Sequence, residues 1–417
     1  MVDATMGAAP NSAGRSDLSK ELRRAERRQG RKAFYLVLPC LLFILLSFIF
    51  PIARMLFYAG HDSVLATNLP QTELALQNWN GEGLPDEGAY AALAVDLKQA
   101  GKEKTAAAIG KRVNYELPGT QSRVAATARR LGQVTTGPYK NALVAMDPMW
   151  GERDIWAVLK RGGSTFTSYY LLRTADLRLN ADSSVEQVPP DIAIFRDVFA
   201  RTFAISISVT ALALLLGFPL AYFLAMLPPR KSNLLMIMVL LPFWTSLLVR
   251  TTAWVVLLQP SGPINSLLMA LHIVSAPVDL IFNRFSTVVA MTYIQLPFTL
   301  LPIYSVMRGI PPTYVRAARS LGAGPFYAFW KVYFPQTLPG IGAGCLLSFI
   351  LCLGFYITPA LVGGPRDQMI SYFIAFYTNQ ELNWGMASAL GSVLLIITLF
   401  FYYIYVKIVG VDRVRLG

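Results

Sequence analysis

The sequence predicts an all-α membrane protein with six transmembrane helices and a large insertion domain after the first of them. Of its 417 residues, 54% are hydrophobic and 15% are charged, whereas an average soluble domain has about 25% charged residues. Uninterrupted apolar runs of about 20 residues account for the difference, and such runs are long enough to cross a bilayer as helices. A purely soluble enzyme or binding domain is therefore excluded.

The first apolar run, residues 33–58, follows a polar, basic tail at 1–32. This run is too long for the core of a signal peptide and has no small-residue cleavage site, so we expect it to remain as the first span. Five more spans are expected in the core at 199–417: 199–227, 232–258, 286–308, 340–361 and 386–409.

Basic residues mark one side of the membrane. They occur in the tail and in the connections after spans 2, 4 and 6, which all lie on the same side: Arg230, Lys231, Arg308, Arg316, Arg319, Lys331, Lys407, Arg413 and Arg415. The positive-inside rule makes this side cytoplasmic, together with both termini. The segment 59–198, with 16 acidic and 15 basic residues, is then extracytoplasmic.

This segment of about 140 residues is long enough to bury a core of its own. Residues 89–112 and 120–132 are rich in alanine and charged residues at helical spacing, and 155–172 mixes aromatic residues with a Gly-Gly pair. The sequence spacing of its acidic residues does not distinguish a catalytic pair of carboxylates, as in a glycoside hydrolase, from ordinary solvated surface residues. We therefore expect a structural domain.

Cofactors and nucleic acid are not expected. Cys40, Cys345 and Cys352 lie in apolar runs, and His61 and His272 are far apart, so a metal site has few ligands to draw on. No phosphate-binding loop of the Gly-x-x-x-x-Gly-Lys-[Ser/Thr] type occurs, so any ATP must be hydrolysed by another subunit. No basic stretch alternates with aromatic residues as binding to nucleic acid requires.

The connection between spans 4 and 5, residues 309–339, contains unusually many helix signals. Pro-Pro-Thr at 311–313 can begin a helix, and Gly322 and Gly324 can end it. Ala317 and Ala318 would give this helix a small face that can enter a protein groove closely, with Arg319 at the rim. The alternative is a surface helix that only braces the bundle.

A second, amphipathic piece is expected to follow. Phe326, Phe329, Trp330 and Tyr333 recur at the spacing of one helix face and should lie against the membrane helices. We expect this piece to end at Pro335. It would carry a push from the first helix back to the spans.

This loop resembles the coupling-loop signature of the permease subunits of type I ABC importers. Ala317, Ala318, Gly322, Val332, Phe334 and Pro335 match the signature in spacing, whereas Arg316 stands where the signature normally begins with Glu. The segments LLVRTTAWVVLLQPSGPINSLL and TPALVGGPRDQMISYFI are similar to the polyamine-type branch, which includes spermidine/putrescine and opine systems. The resemblance covers span 1 and residues from about 197 to 417, and the insertion has no match in it.

The resemblance implies a type I permease fold, a coupling role for Arg316, Ala317, Ala318, Arg319, Gly322 and Pro335, and a bacterial inner-membrane location. It also implies several partners: an ABC ATPase dimer, a second permease subunit, an extracytoplasmic substrate-binding protein and the surrounding lipid. The chain itself would be no enzyme. It would move a small solute, polyamine or opine-like, by alternating access.

Substrate contacts are harder to predict, because the spans contain almost no carboxylate to attract a cation. Aromatic rings near expected helix breaks at Pro242, Pro297, Pro359 and Gly385 are candidates: Trp244, Tyr293, Phe355, Tyr356 and Trp384. Bundle packing is the alternative for each ring. Asp279, Asp367 and Glu381, in outer loops, could instead attract a cation or simply be solvated.

Three alternative functions remain open. An ion-coupled secondary carrier is disfavoured because no Asp or Glu lies between Asp197 and Asp279 or between Asp279 and Asp367. A membrane-anchored receptor would need only one span. An ABC importer for an amino-acid derivative or a sugar would share every motif above.

Overall fold

The computed structural model describes residues 32–134 and 137–409, and its regular structure is helical except for one short hairpin. Two compact units divide the chain, Met1–Phe57 and Tyr58–Gly417. The expected basic tail lies outside the described residues, apart from Lys32. The first long helix, α1, is Lys32–Tyr58. Its π-helical turn at Leu45–Ile49 immediately precedes Pro51, where the ring would clash with a regular helical turn.

The described residues of the insertion form eight α-helices, one 3₁₀ turn at Pro148–Gly151 and a two-stranded antiparallel hairpin: α2 Val64–Asn68, α3 Pro70–Gln77, α4 Glu87–Glu103, α5 Ala106–Glu116, α6 Thr120–Leu131, α7 Tyr139–Met146, α8 Arg153–Gly162, α9 Tyr169–Thr174, β1 Leu177–Leu179 and β2 Val185–Gln187. The alanine-rich run at 89–112 is divided between α4 and α5, because Lys104 takes a left-handed conformation (φ 61°) that ends α4.

The insertion has its own apolar core, centred on Tyr90, Trp150 and Trp156, which are all at most 1% exposed. The Tyr90 hydroxyl and the Trp156 indole N–H both donate to the Trp150 carbonyl, at 2.8 and 3.0 Å. Buried polar groups on aromatic residues need such partners. The core therefore combines large apolar area with satisfied hydrogen bonds.

The rest of the chain consists of long apolar helices and their connections: α10 Phe195–Met226, α11 Pro229–Leu240, α12 Leu247–Leu258, α13 Pro263–Ala270, α14 Arg284–Gly309, α15 Thr313–Ser320, α16 Pro325–Leu353, α17 Ile357–Val362, α18 Ile370–Asn379 and α19 Trp384–Val409. Among the described residues, five helices are long and apolar enough to cross a membrane, and a bent helix pair can count as the sixth span.

That bent pair corrects the bounds predicted for the third span, 232–258, and it has the helix break that was expected near Pro242. The segments Pro229–Trp244 and Leu247–Ala270 meet at 94°. Pro242 lies in a single 3₁₀ turn that ends α11, and the Ser246 hydroxyl caps the new helix by accepting from the Val249 N–H at 3.2 Å. The break therefore has local causes in a proline and a capping serine.

A second correction concerns the start of span 5. The expected separate amphipathic piece ending at Pro335 is instead the first part of α16, which continues to Leu353. A π-helical turn at Phe329–Tyr333 precedes Pro335 and lets the helix pass through it without stopping. The helix therefore runs without interruption from the loop into the membrane core.

Close packing joins α14 and α16. A β-carbon at Gly344 would lie 2.5 Å from the Thr299 carbonyl oxygen, so only glycine allows this approach. One turn further on, the Thr299 and Ser348 hydroxyls are hydrogen-bonded at 2.6 Å. Small residues and paired hydroxyls hold membrane helices together in this way. Pro297 lies inside α14 without breaking it, so the break expected there is absent.

Candidate functional site

The helix expected to couple the chain to an ATPase is α15. Its end is defined by Gly322, which adopts φ +90° with open space around it. The N–H groups of Gly322 and Ala323 donate to the carbonyls of Arg319 and Ala318, at 3.0 and 3.1 Å, and so satisfy the last turn. Glycine is therefore required at position 322 because of the backbone conformation, and not because a side chain would clash with its surroundings.

The outer surface of α15 carries an apolar stripe. Tyr314 is 51% exposed, Ala317 is exposed, and Leu321 is 89% exposed. On the other side, Val315 packs with Ile310 against the membrane helices. The short alanine lies between two larger apolar residues, so the stripe has the shape of a ridge with a central notch.

The two arginines of the predicted coupling set lie elsewhere on this helix. Arg316 and Arg319 line a cavity of about 510 Å³ between α15 and the ends of α10, α14 and α16. The expectation that Arg319 reaches the rim of a partner's groove is not tested by this arrangement. Ala318 is half-buried, and Pro335 is exposed on α16.

Aromatic rings connect the first turns of α16 to α10. Tyr222 contacts Phe329 and Tyr333, with ring centroids 5.4 and 5.5 Å apart. Of the four aromatic residues expected to face the membrane helices, Phe329 and Tyr333 do so, whereas Phe326 and Trp330 are 77% and 46% exposed. A displacement of α15 can therefore pass to two membrane helices through rigid rings.

The five candidate pathway residues are not brought together. Trp244 is 91% exposed at the helix break, Tyr293 packs on Trp254 at 5.7 Å, and Phe355 packs in a buried apolar cluster. Tyr356 and Trp384 are 42% and 59% exposed. In the described part of the chain, no ring contact joins any two of the five.

Asp367 is unavailable as an open acceptor for a cation. Its side chain is 9% exposed, pairs with the Arg284 guanidinium at 3.1 Å and accepts from the Gly364 N–H at 3.3 Å. The Arg201 guanidinium donates to the neighbouring Arg366 carbonyl at 2.5 Å. Arginines therefore surround this carboxylate, which has a structural role.

A buried charged cluster at the base of the insertion was not predicted. The Arg112 guanidinium, 4% exposed, pairs with Asp62 and, at 3.0 Å, with Glu116; Glu116 also pairs with Arg161 at 2.9 Å. The Tyr170 hydroxyl donates to Asp62 at 2.8 Å. The spacing of Arg112 and Glu116, four residues apart on a helix, was the available sequence signal.

The electrostatics of this cluster favour its charged state. Burial by itself lowers the pKa of Arg112, but the negative charge of Glu116 and Asp62 outweighs it and raises the pKa. Burial also raises the pKa of Tyr170, and it raises that of the neighbouring Tyr115 to about 12. Arg112 is thus charged at neutral pH, and its ion pairs hold the base of the insertion together.

The comparisons with known proteins identify the core. A family model described as a binding-protein-dependent transport system inner membrane component matches residues 198–410. The chain belongs to this family. It is therefore a multi-pass inner-membrane permease subunit of an ABC importer, and the predicted type I permease fold is confirmed. ATP hydrolysis belongs to a separate subunit in such importers, so this subunit is no enzyme.

Individual relatives agree with this assignment. The spermidine/putrescine transport system permease protein PotB of Haemophilus influenzae is 33% identical over 217 residues, covering 50% of this permease and 76% of that protein. PotB of Escherichia coli is 30% identical, with 49% and 74% covered. The Escherichia coli inner membrane ABC transporter permease protein YdcU is 33% identical, with 51% and 72% covered. The predicted likeness to the polyamine branch is confirmed.

Among solved structures, a bacterial alginate ABC transporter in complex with an alginate pentasaccharide-bound periplasmic protein is 21% identical, with a TM-score of 0.41, and the match covers 52% of this permease and 79% of that chain. A second alginate importer structure is 20% identical, with a TM-score of 0.39 and coverages of 53% and 80%. Most of the insertion precedes the first residue that the family model matches.

Proposed function

We propose that this permease is the gate of an ATP-driven importer and that α15 couples it to a cytoplasmic ATPase dimer. The observation that carries the proposal is mechanical continuity: an exposed apolar stripe on α15 is followed by one glycine turn and then by a helix that continues to Leu353. Closure of the ATPases on ATP would move α15, and α16 and α10 would open the spans outward.

The proposed orientation puts both termini and α15 in the cytoplasm. The basic residues at the ends of α11, α14 and α19 support it. The insertion is then extracytoplasmic, where we expect it to contact a substrate-binding protein. A second permease subunit would cover the exposed rings of Trp244, Tyr356 and Trp384, which face outward from this single chain.

The proposed cargo is a polyamine or an opine-like solute. The names of the PotB relatives support a polyamine, and exposed aromatic rings can solvate a cation weakly without trapping it. Because Asp367 is buried against Arg284, its carboxylate cannot contribute. Such rings and backbone carbonyls would have to solvate the cation without it. Uptake of labelled spermidine by the reconstituted importer tests this proposal, and uptake of an amino-acid derivative or a sugar in its place would contradict it.

Two glycines in the same loop provide a matched test of coupling. Gly322 and Gly324 both have open space around them, but only Gly322 has a positive φ. A Gly322→Ala substitution should cost about 1–2 kcal/mol of local backbone energy, whereas Gly324→Ala should not. We expect Gly322→Ala to reduce ATP-driven uptake in proteoliposomes severalfold while ATPase binding persists.

Normal uptake by Gly322→Ala with the ATPase bound would contradict the coupling role of α15. Uphill uptake by the purified permease alone, under a proton or sodium gradient, would contradict the importer itself and favour the secondary carrier. Both measurements use proteoliposomes, and the second omits the ATPase and ATP and supplies an ion gradient instead.

Most of the insertion, residues 63–164, can be removed at a point where the flanking segments are hydrogen-bonded to each other. The Asp62 N–H donates to the Thr165 carbonyl at 2.9 Å, and the Thr167 N–H donates to the Gly60 carbonyl at 2.8 Å. A short flexible linker replacing 63–164 can therefore bridge the gap. We expect this variant to bind the substrate-binding protein more weakly; unchanged affinity would contradict the proposed contact.

A further inference from the structure

The cavity beneath α15 is lined by three arginines. Arg308 is fixed, because its guanidinium donates to the carbonyls of Ala225 and Leu227, both at 3.2 Å. Arg316 and Arg319 reach the same cavity from α15 and make no side-chain hydrogen bond or ion pair with any residue that the structure describes. Three arginines therefore line one space, and two of them have side chains that are available to a ligand.

The helices around the cavity bring no carboxylate to these arginines in the described part of the chain. The sequence has no Asp or Glu between Asp197 and Asp279 or between Asp279 and Asp367. The flanking helices α10, α14 and α16 therefore contribute no counter-charge at this end. Because positive charges brought together repel one another, an anion in the cavity would be stabilised by all three.

The other wall of the cavity is apolar, formed by Met226, Met307, Ile310, Val315 and Phe329. It lies at the ends of three membrane helices, which in the proposed orientation is the level where phospholipid headgroups meet water. The exposed rings of Phe326, Tyr327 and Trp330 follow on the first turns of α16, which is typical of residues at a membrane interface. The site thus has a cationic side and an apolar side at headgroup depth.

The volume of the cavity, about 510 Å³, is in the range of small-molecule sites. A single carboxylate from a partner protein would fill only a small part of it. A phosphate with its glycerol and the first methylene groups of its acyl chains would occupy both sides, with the phosphate oxygens matching the forked donors of arginine.

We propose that this cavity binds the phosphate headgroup of an anionic phospholipid and that Arg316 and Arg319 are its ligands. Basic pockets between membrane helices bind such headgroups by the same chemistry. The lipid would brace α15 against α10 and α16. This site is separate from the outward-facing stripe of Tyr314, Ala317 and Leu321, and its occupancy is independent of ATP and of the transported solute.

Titration of the purified full-length permease with phosphatidylglycerol, followed by native mass spectrometry, tests the proposal. Arg316→Gln or Arg319→Gln should each weaken binding by about tenfold, since each removes one charge-assisted hydrogen bond. The matched control is the double variant Arg230→Gln/Lys231→Gln, which removes two exposed charges outside the cavity and should weaken binding by less than about fivefold.

Three results would overturn the proposal. Equal binding of zwitterionic phosphatidylcholine, or an equal loss in the control variant, would show that the arginines do not select the headgroup. Displacement of the lipid by inorganic phosphate alone, with the same dependence on Arg316, would assign the cavity to free phosphate. Displacement of the lipid by the bound ATPase would assign the arginines to an acidic side chain of that partner.

Two further results would support it. Arg316→Lys should bind the lipid more tightly than Arg316→Gln but more weakly than the natural protein, because it keeps the charge and loses the forked donors. All variants should melt within a few degrees of the natural protein. Since binding is measured without ATP, ATPase or solute, its failure leaves the proposed transport function untouched. Conversely, loss of transport with intact lipid binding would contradict the proposed transport function and leave the proposed lipid site untouched.

Discussion

Gly385 lies directly beneath the Tyr170 ring: a β-carbon at Gly385 would be 2.4 Å from two carbons of that ring. Tyr170 belongs to α9 of the insertion, and Gly385 belongs to the first turn of α19. The ring packs in a buried cluster with Ile370 and Met386, and the Lys111 ammonium group donates to the Glu381 carbonyl beside it. The insertion therefore packs against the last membrane helix through these side chains.

Gly385→Ala should weaken the packing of the insertion on α19, because the added methyl group cannot fit against an immobile Tyr170 ring. We expect a loss of stability of about 1–3 kcal/mol and faster hydrogen exchange in α9 and in the first turn of α19. The control is Gly354→Ala, whose β-carbon would meet nothing closer than a carbonyl oxygen at 3.6 Å. Similar exchange in the two variants would mean that the ring moves aside freely.

Arg112 is at the centre of the buried charged cluster at the base of the insertion. Replacing it with Met would leave Asp62 and Glu116 buried. Glu116 would keep Arg161, whereas Asp62 would keep only two uncharged donors, the Tyr170 hydroxyl and the Val64 N–H. We expect the insertion to lose about 3–5 kcal/mol of stability, as is usual when one member of a buried ion pair is removed. Chemical denaturation monitored by tryptophan fluorescence measures this, because Trp150 and Trp156 lie in the same domain.

The control for Arg112 is Arg123→Met. Arg123 also forms an ion pair, with Asp147, but its side chain is 39% exposed. Exposed pairs contribute about 0–1 kcal/mol. If both variants lose the same stability, burial of the cluster has no energetic consequence and our interpretation of it is wrong.

The Arg123–Asp147 pair predicts a dependence on pH. The hydrogen bond from Arg123 lowers the pKa of Asp147, and the Met149 N–H, also bonded to this carboxylate, acts in the same direction. A carboxylate with a lowered pKa stabilises the folded state above its unfolded pKa of about 3.9. This stabilisation is lost as the pH falls through the lower, folded pKa.

Denaturation of the natural protein and of Arg123→Gln between about pH 3 and pH 6 measures the effect. The difference in stability between the two proteins should be constant near pH 6 and should shrink as the pH falls below about 4. A difference that grows on acidification would have the wrong sign for a lowered pKa and would contradict the pairing.

The long apolar runs were sufficient to predict the membrane helices. Length and hydropathy locate α1, α10, α14 and α19 within a few residues, because helices of this kind are set by the bilayer rather than by neighbours. The bend before Leu247 was expected near Pro242, whereas the passage of α16 through Pro335 was mispredicted. Both depend on how a proline is accommodated, either by a 3₁₀ turn or by a π turn, and that choice is made by tertiary packing.

The site was predictable to the extent that it depends on local backbone geometry. Gly322 was predicted to end a short helix, and in the structure it follows α15 with a positive φ. The arginine cavity and the Arg112 cluster could not be found in this way. Each joins residues that are distant in sequence, as with Tyr222 and Arg316 around one cavity or Asp62 and Arg112 in one ion pair.

Asp176 provides a last test, at the junction between the insertion and α10. Its carboxylate accepts from the Ile194 N–H at 3.1 Å and from the Arg196 N–H at 2.8 Å, so it satisfies the free donors at the start of α10. Asp176→Ala should cost about 1–2 kcal/mol, as the loss of a helix cap does, and should speed hydrogen exchange in the first turn of α10. Asp182→Ala is the control, because that carboxylate is 65% exposed and pairs only with Arg153. Equal exchange in both variants would mean that the packing of Phe195, and not the cap, holds this end of the helix.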